Sequence, residues 1–95
     1  MFPEEVEEAI KADPAVFDCL IFGVPDERFG ERVVGVYSLE EGASTSEDQL
    51  RASARERLSS FKLPKQLVEV DEIPRAPNGK ADYPTAKDLF TAAAG

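Results

Sequence analysis

Apolar residues recur along this chain with two different periods. Near the start the spacing is helical: Val6 and Ile10 share a face, with Phe2 one turn earlier. Pro3 suits the first position of a helix, and Glu4, Glu5, Glu7 and Glu8 complement the positive end of its dipole. These spacings predict a helix over 3–12, with the four carboxylates forming a solvated start rather than a metal site. Asp13-Pro14 stops it. Residues 15–24, "AVFDCLIFGV", are apolar on both alternating faces, which predicts a central strand covered on both sides. "PDERFGE" at 25–31 reads as a connecting loop and "RVVGVYSL" at 32–39 as a second strand. The short separation predicts an antiparallel pair.

Beyond a surface loop, "EEGAST", helical spacing returns over 47–58. Leu50, Ala54 and Leu58 share a face there, with Arg51, Arg55 and Arg57 on wetter sides. Ser46 and Gln49 fit a capping box. "SSFKLPK" breaks this helix, and "QLVEV" at 66–70 predicts a third short strand. A last helix is expected from Pro84 to Phe90, with "TAAAG" frayed behind it. The elements predict an α+β fold, a small three-stranded sheet with helices packed on it. Ninety-five residues allow a single domain, 1–95. A domain of this size buries roughly 60–65% of its unfolded surface, which leaves little room for a deep active site of its own.

Composition narrows the chemistry. There is no histidine, which removes Ser-His-Asp and Cys-His catalysis and most zinc sites. Cys19 is alone, so no internal disulfide can form, and its apolar neighbours "FDCLIF" suggest a small buried thiol. No apolar run approaches the ~20 residues of a membrane span, and the N-terminus is acidic, unlike a leader peptide. A cytoplasmic location is the simplest expectation. The net charge of −8 argues against nucleic-acid binding. That charge is unevenly spread. Residues 1–48 hold 13 acids and 3 bases, residues 49–95 hold 6 acids and 8 bases. An anion site therefore belongs in the second half, with Lys62, Lys65, Arg75 and Lys80 as candidates.

Three stretches could carry chemistry. In "EIPRAPNGKADYP" Asn78-Gly79 is a strong turn signal followed at once by Lys80. A Walker-type phosphate loop is excluded, because Pro74 stands where the first glycine should be and Ala81 where Ser or Thr should be. Pro74 and Pro77 cannot donate to a ladder, which argues for a stiff loop rather than a hairpin. On local grounds Lys80 is either a solvated turn lysine or a point charge held out from the surface. "FKLPK" at 61–65 and Phe29 in "PDERFGE" are equally open: core aromatics at loop exits, or exposed rings and cations for a nucleotide. Asp71 and Glu72 are adjacent, so on a strand they would face opposite ways and make a poor acid pair.

Taken in order, these stretches resemble the C-terminal domain of the adenylate-forming enzymes, which include the acyl-CoA synthetases. The resemblance runs from Phe2 to Leu89. "GVPDERFGERVVG" is similar to the family's G-x-P-D-x-x-x-G-E-x-x-x-A/G stretch, "FKLPK" to its aromatic-Lys-x-Pro motif, and "IPRAPNGK" to its last core motif, P-R-x-x-x-G-K.

The resemblance implies an ATP-dependent ligase that joins a carboxylic acid, fatty or related, to ATP and then passes the acyl group to coenzyme A. A large N-terminal domain would be the partner of this one and would hold most of the ATP, with its Mg2+, and the acid. The small C-terminal domain would close over it in two orientations, one for each half-reaction. By position Lys80 would be the catalytic lysine of adenylation. Carboxylate attack on the α-phosphate brings two anions together, and a placed cation offsets the growing charge. In the second orientation Phe29, Phe61, Lys62 and Lys65 would meet the nucleotide end of CoA. Some relatives carry a cation where this chain has Leu63, so its 3′-phosphate contact is expected to be weaker or to come from elsewhere. The V/I-x-R that often follows the lysine is here Ala81, Asp82, Tyr83. The family's hinge would lie just before "FPEEVEE", so hinge and N-terminal domain are expected to be missing and the chain alone inactive. Two other readings stand beside this one: a domain that loads a carrier protein, and a stand-alone interaction module without catalysis.

Overall fold

In the computed structural model residues 3–28, 30–59 and 62–94 are described. Helix α1 (Pro3–Lys11) leads into a hairpin of strands β1 (Val16–Asp26) and β2 (Gly30–Leu39), followed by α2 (Glu47–Ala54), β3 (Gln66–Glu69) and α3 (Tyr83–Ala94). The sheet order is β1-β2-β3, with β1 antiparallel and β3 parallel to β2. The α+β class and the three-stranded sheet are as expected.

Four local expectations need correction. The central strand is β2, and β1 lies at an edge. The apolar residues on both faces of β1 reflect the two helical layers, not strand neighbours on both sides. The loop expected over 25–31 is mostly ladder, because Pro25 pairs with Glu31 and Asp26 with Gly30. Pro25 needs no ladder donor on an edge strand. The second helix is shorter than its apolar spacing suggests. It ends at Ala54, whose carbonyl accepts from the amides of Arg57 and Leu58, both at 2.9 Å. Leu58 keeps its place in the core from that turn. The last helix begins earlier and runs longer, from Tyr83 to Ala94, absorbing the alanines assigned to a frayed end. Ser46 caps α2 as expected, accepting from the Gln49 amide at 3.2 Å.

Strand alternation divides the core between two layers. Val16, Cys19, Ile21 and Tyr37 face α1 and α2 and pack with Val6, Ile10, Leu50, Ala54, Leu58, Leu63 and Leu67. Leu20, Phe22, Val34 and Val36 face α3, with Ile73, Ala86 and Phe90. Phe22 and Phe90 meet edge to face, centroids 6.0 Å apart, a favourable aromatic arrangement. Gly35 lets the first layer close. A Cβ there would lie 2.5 Å from Ile21 Cδ1 and 2.7 Å from the Leu20 carbonyl oxygen.

Being at an edge leaves β1 with outward amides to satisfy. The Ile21 N–H donates to Glu7 Oε2 at 2.9 Å, and the Cys19 N–H to Asp18 Oδ1 at 2.8 Å. Glu7, read from sequence as part of a solvated helix start, is only 7% exposed. Its Oε2 also accepts from the Tyr83 hydroxyl at 2.8 Å. The carboxylate thus ties α1, the edge of β1 and the start of α3 together. Burial pushes the Glu7 carboxyl above its usual range, opposed by the Ile21 and Tyr83 hydrogen bonds. Burial, then the bond to Glu7, pushes the Tyr83 hydroxyl up as well.

Replacing Glu7 by Ala strands one partly buried hydroxyl and one buried amide, so we expect a loss of about 1–3 kcal/mol in chemical denaturation. Tyr83→Phe removes only the donor and should cost about 1 kcal/mol. Equal stabilities for wild type and Glu7→Ala would contradict the triple tie.

Candidate functional site

Lys80 stands on a hairpin. The Gly79 amide donates to the Ala76 carbonyl at 2.8 Å, closing a turn with Pro77 and Asn78 at its centre. Gly79 follows at φ +86, a left-handed conformation that favours glycine. Ala76 then donates to the Lys80 carbonyl at 2.9 Å, Asp82 to the Pro74 carbonyl at 3.2 Å, and Arg75 bridges Ala81 antiparallel. This is a three-residue hairpin loop ending in a left-handed glycine. The expectation of a stiff loop rather than a hairpin is therefore corrected. Pro74 takes part only as an acceptor, and Pro77 occupies a turn position that needs no donor. The Asn78 side chain accepts from the Lys80 amide at 3.1 Å, fixing the backbone where the lysine leaves it. The Lys80 side chain is exposed and has no ion-pair partner among the described residues.

Arg75 behaves otherwise. Read from sequence as a candidate for an anion site, it is already engaged. Its Nε and Nη2 donate to Asp18 Oδ2 and Oδ1 at 2.8 and 2.9 Å, and its Nη1 to the Gly79 carbonyl at 3.1 Å. Lys11 Nζ approaches the same aspartate at 4.0 Å. Burial alone would raise the Asp18 carboxyl, but the Arg75 hydrogen bonds prevail and hold it below the usual aspartate range. Asp18 was not singled out in the sequence. Its signal is a lone acid at the start of an apolar strand, where a carboxylate needs a partner to stay.

The other candidates lie toward the opposite end of the sheet. The Lys65 amide donates to the Val33 carbonyl at 2.7 Å, whereas Asp18 is opposite Ser38. Those two positions of β2 are roughly 17 Å apart along the strand. Lys65 is exposed and faces a cleft of about 310 Å³ lined also by Arg51, Arg55, Leu63 and Pro64. Arg51 is tied to Glu47 at 2.7 Å and Asp48 at 2.6 Å. Arg55 is exposed and, among the described residues, has no carboxylate partner. Leu63 is buried in the floor, so the cations of this cleft are Arg51 of α2, Arg55 at its C-terminal cap and Lys65. Lys62 does not join them, since its Nζ pairs with Glu5 on α1 at 3.0 Å. Phe29 and Phe61, expected to stack on a nucleotide, lie outside the described residues. Among the described residues no group of three or more Cys, Asp or Glu is placed to hold a metal, and no helix is long and apolar enough to cross a membrane.

The mixed sheet layered by helices is shared with solved C-terminal domains of adenylate-forming enzymes. Apo MatB from Rhodopseudomonas palustris superimposes with a TM-score of 0.86 at 33% identity, over 95% of this chain and 18% of that one. A Mycobacterium tuberculosis fatty acyl CoA synthetase does so with a TM-score of 0.85 at 31% identity, over 96% and 18%. The chain belongs to the family of the AMP-binding enzyme C-terminal domain, which residues 5–80 match. Among curated relatives, the 3-oxocholest-4-en-26-oate–CoA ligase of Rhodococcus rhodochrous is 52% identical over 88 residues. A medium/long-chain-fatty-acid–CoA/3-oxocholest-4-en-26-oate–CoA ligase of Mycolicibacterium smegmatis is 47% identical over 89. The alignments take in 93% and 94% of this chain but 16% of each relative, so the chain spans about a sixth of their length.

The lowered Asp18 carboxyl sets a pH dependence. Its contribution to stability is complete above the unfolded aspartate pKa of ~3.9 and is lost as pH falls through the lower folded value. Acid titration of stability should therefore fall below pH ~4, and Asp18→Asn should flatten that fall. An identical acid profile for the variant would contradict the tie.

Proposed function

We propose that this domain is the closing part of an ATP-dependent acid–CoA ligase and supplies Lys80 to its adenylation step. The observation that carries the reading is the state of Lys80, an exposed cation without a carboxylate partner on a hairpin built to hold it. In a domain of net charge −8 such a cation is conspicuous, and it fits an anionic partner outside the chain. In adenylation a carboxylate oxygen attacks the α-phosphorus, the bond to the bridging oxygen breaks, and pyrophosphate leaves. No proton is exchanged, so the service Lys80 can render is electrostatic. It offsets charge between two anions and orients the carboxylate for in-line attack.

The thioester step uses the other end of the sheet. There the thiol sulfur of CoA attacks the acyl carbon, its proton is given up, and AMP departs. Lys65 and Arg55 line a cleft suited to the phosphates of the nucleotide end. Arg55 would supply the cation that Leu63 does not. Lys62, paired with Glu5, would contribute only by exchanging that partner. The names of the relatives support a long aliphatic acid, a fatty acid or the carboxylated side chain of a sterol, as substrate. The rest of that ligase, with its ATP and acid sites, would be this domain's partner.

In the ligase containing this chain, Lys80→Ala should reduce acyl-adenylate formation by at least about 100-fold. Thioester formation from pre-made acyl-adenylate should be unaffected. Pyrophosphate release and CoA thioester assays measure the two steps separately, and equal loss of both would refute the role.

Arg55→Glu should weaken CoA about tenfold while leaving dephospho-CoA nearly unchanged, as measured by titration calorimetry. Equal loss for the two ligands would place the 3′-phosphate elsewhere.

A further inference from the structure

We propose that Asp18 is a positioning residue for Lys80, acting through Arg75. The inference rests on the reading of Lys80 given above and extends it to a residue 62 positions away in the chain.

Most bonds of the 75–81 hairpin are internal. Ala76 to Lys80, Gly79 to Ala76 and Lys80 to Asn78 make the hairpin stiff, but they do not fix it to the sheet. Ile73 before it is buried beneath α3, and Ala81 after it packs against the same layer. These apolar contacts are non-directional and set no angle for the turn. Among the described residues, the side-chain hydrogen bonds that tie the hairpin to the sheet are those from Arg75 to Asp18.

The guanidinium has the shape for this role. Two parallel N–H groups meet both oxygens of one carboxylate, a geometry that fixes direction as well as distance. The third nitrogen, Nη1, donates to the Gly79 carbonyl, one residue before Lys80. A rigid path therefore runs from β1 through Asp18, Arg75 and Gly79 to the lysine backbone. Asp18 is itself fixed, because its Oδ1 also accepts from the Cys19 amide. A lysine at position 75 carries all its donors on one nitrogen and could not hold two directions at once.

The consequence is kinetic. A catalytic charge displaced by about 1 Å can cost on the order of 100-fold in rate. Asp18 touches no reacting atom, so its loss should lower the rate of adenylation without changing affinity for ATP. In the ligase containing this chain, Asp18→Asn should reduce kcat for acyl-adenylate formation roughly 10- to 100-fold. KM for ATP should stay within about twofold, and the thioester step should be unaffected. Asp18→Glu should recover part of the rate, because it keeps both acceptor oxygens, and Arg75→Lys should resemble Asp18→Asn. In the 95-residue chain, amide order parameters at Gly79 and Lys80 should fall in Asp18→Asn while those of β2 hold.

Glu7→Gln serves as the stability control. It weakens the fold without touching the hairpin and should leave adenylation unchanged. Equal loss of both half-reactions in Asp18→Asn, or equal loss of adenylation in Glu7→Gln, would reduce Asp18 to a structural residue and overturn the inference. Full adenylation in Asp18→Asn, with Lys80→Ala inactive, would overturn the inference alone. Full adenylation in Lys80→Ala would overturn the reading of Lys80 and this inference with it.

Discussion

The architecture depends on how the free edge of β1 is closed. An edge strand presents unpaired amides that would otherwise need water or another chain. Here two successive outward amides, of Cys19 and Ile21, each meet a carboxylate, and each carboxylate also holds a distant segment. Glu7 takes the hydroxyl of Tyr83 and so anchors the start of α3. Asp18 takes the fork of Arg75 and so anchors the hairpin of Lys80. A carboxylate can do this because it accepts at several lone pairs at once. The opposite edge, β3, has only four residues and offers a short template.

This arrangement links packing to chemistry. The two helical layers on the sheet are held apart by β1 and β2, and the C-terminal segment crosses from β3 to the far side before turning back toward the edge of β1. That path delivers the Lys80 hairpin beside Asp18, while the Lys65 cleft stays near the opposite end of β2. Two groups of cations thus sit at two ends of one small sheet. A rigid domain of this size cannot offer both to a single point at once.

Much of the fold was legible in the sequence because periodicity reports burial directly. Helical spacing at Val6 and Ile10 and at Leu50, Ala54 and Leu58, and most of the doubly apolar run 15–24, found their places in the two core layers, with Phe17 left exposed. Strand order was not legible, since a strand covered by helices on both faces reads the same at an edge as at the centre. Glu7 was misread because an acid in the first turns of a helix has an ordinary explanation. Only the fold shows that its oxygen lies at a strand edge. The hairpin was misread because a proline bars donation but not acceptance. Arg75 looked available because its partner is 57 positions distant. Lys80 was singled out by its motif, and local propensity alone left its role open. Phe29 and Phe61, drawn from the same resemblance, fall outside the described residues.

Cys19 has a chemical consequence of its own. The chain has one thiol and no imidazole. That thiol is fully buried, and burial, then the negative charges of Glu7 and Asp18, push it toward its protonated form. An acyl-adenylate is a mixed anhydride, ready to acylate any accessible sulfur or imidazole. If this domain closes over such an intermediate, as proposed above, it brings with it no imidazole and only a buried thiol. The two carboxylates that seal the strand edge thus add to burial in holding the thiol protonated.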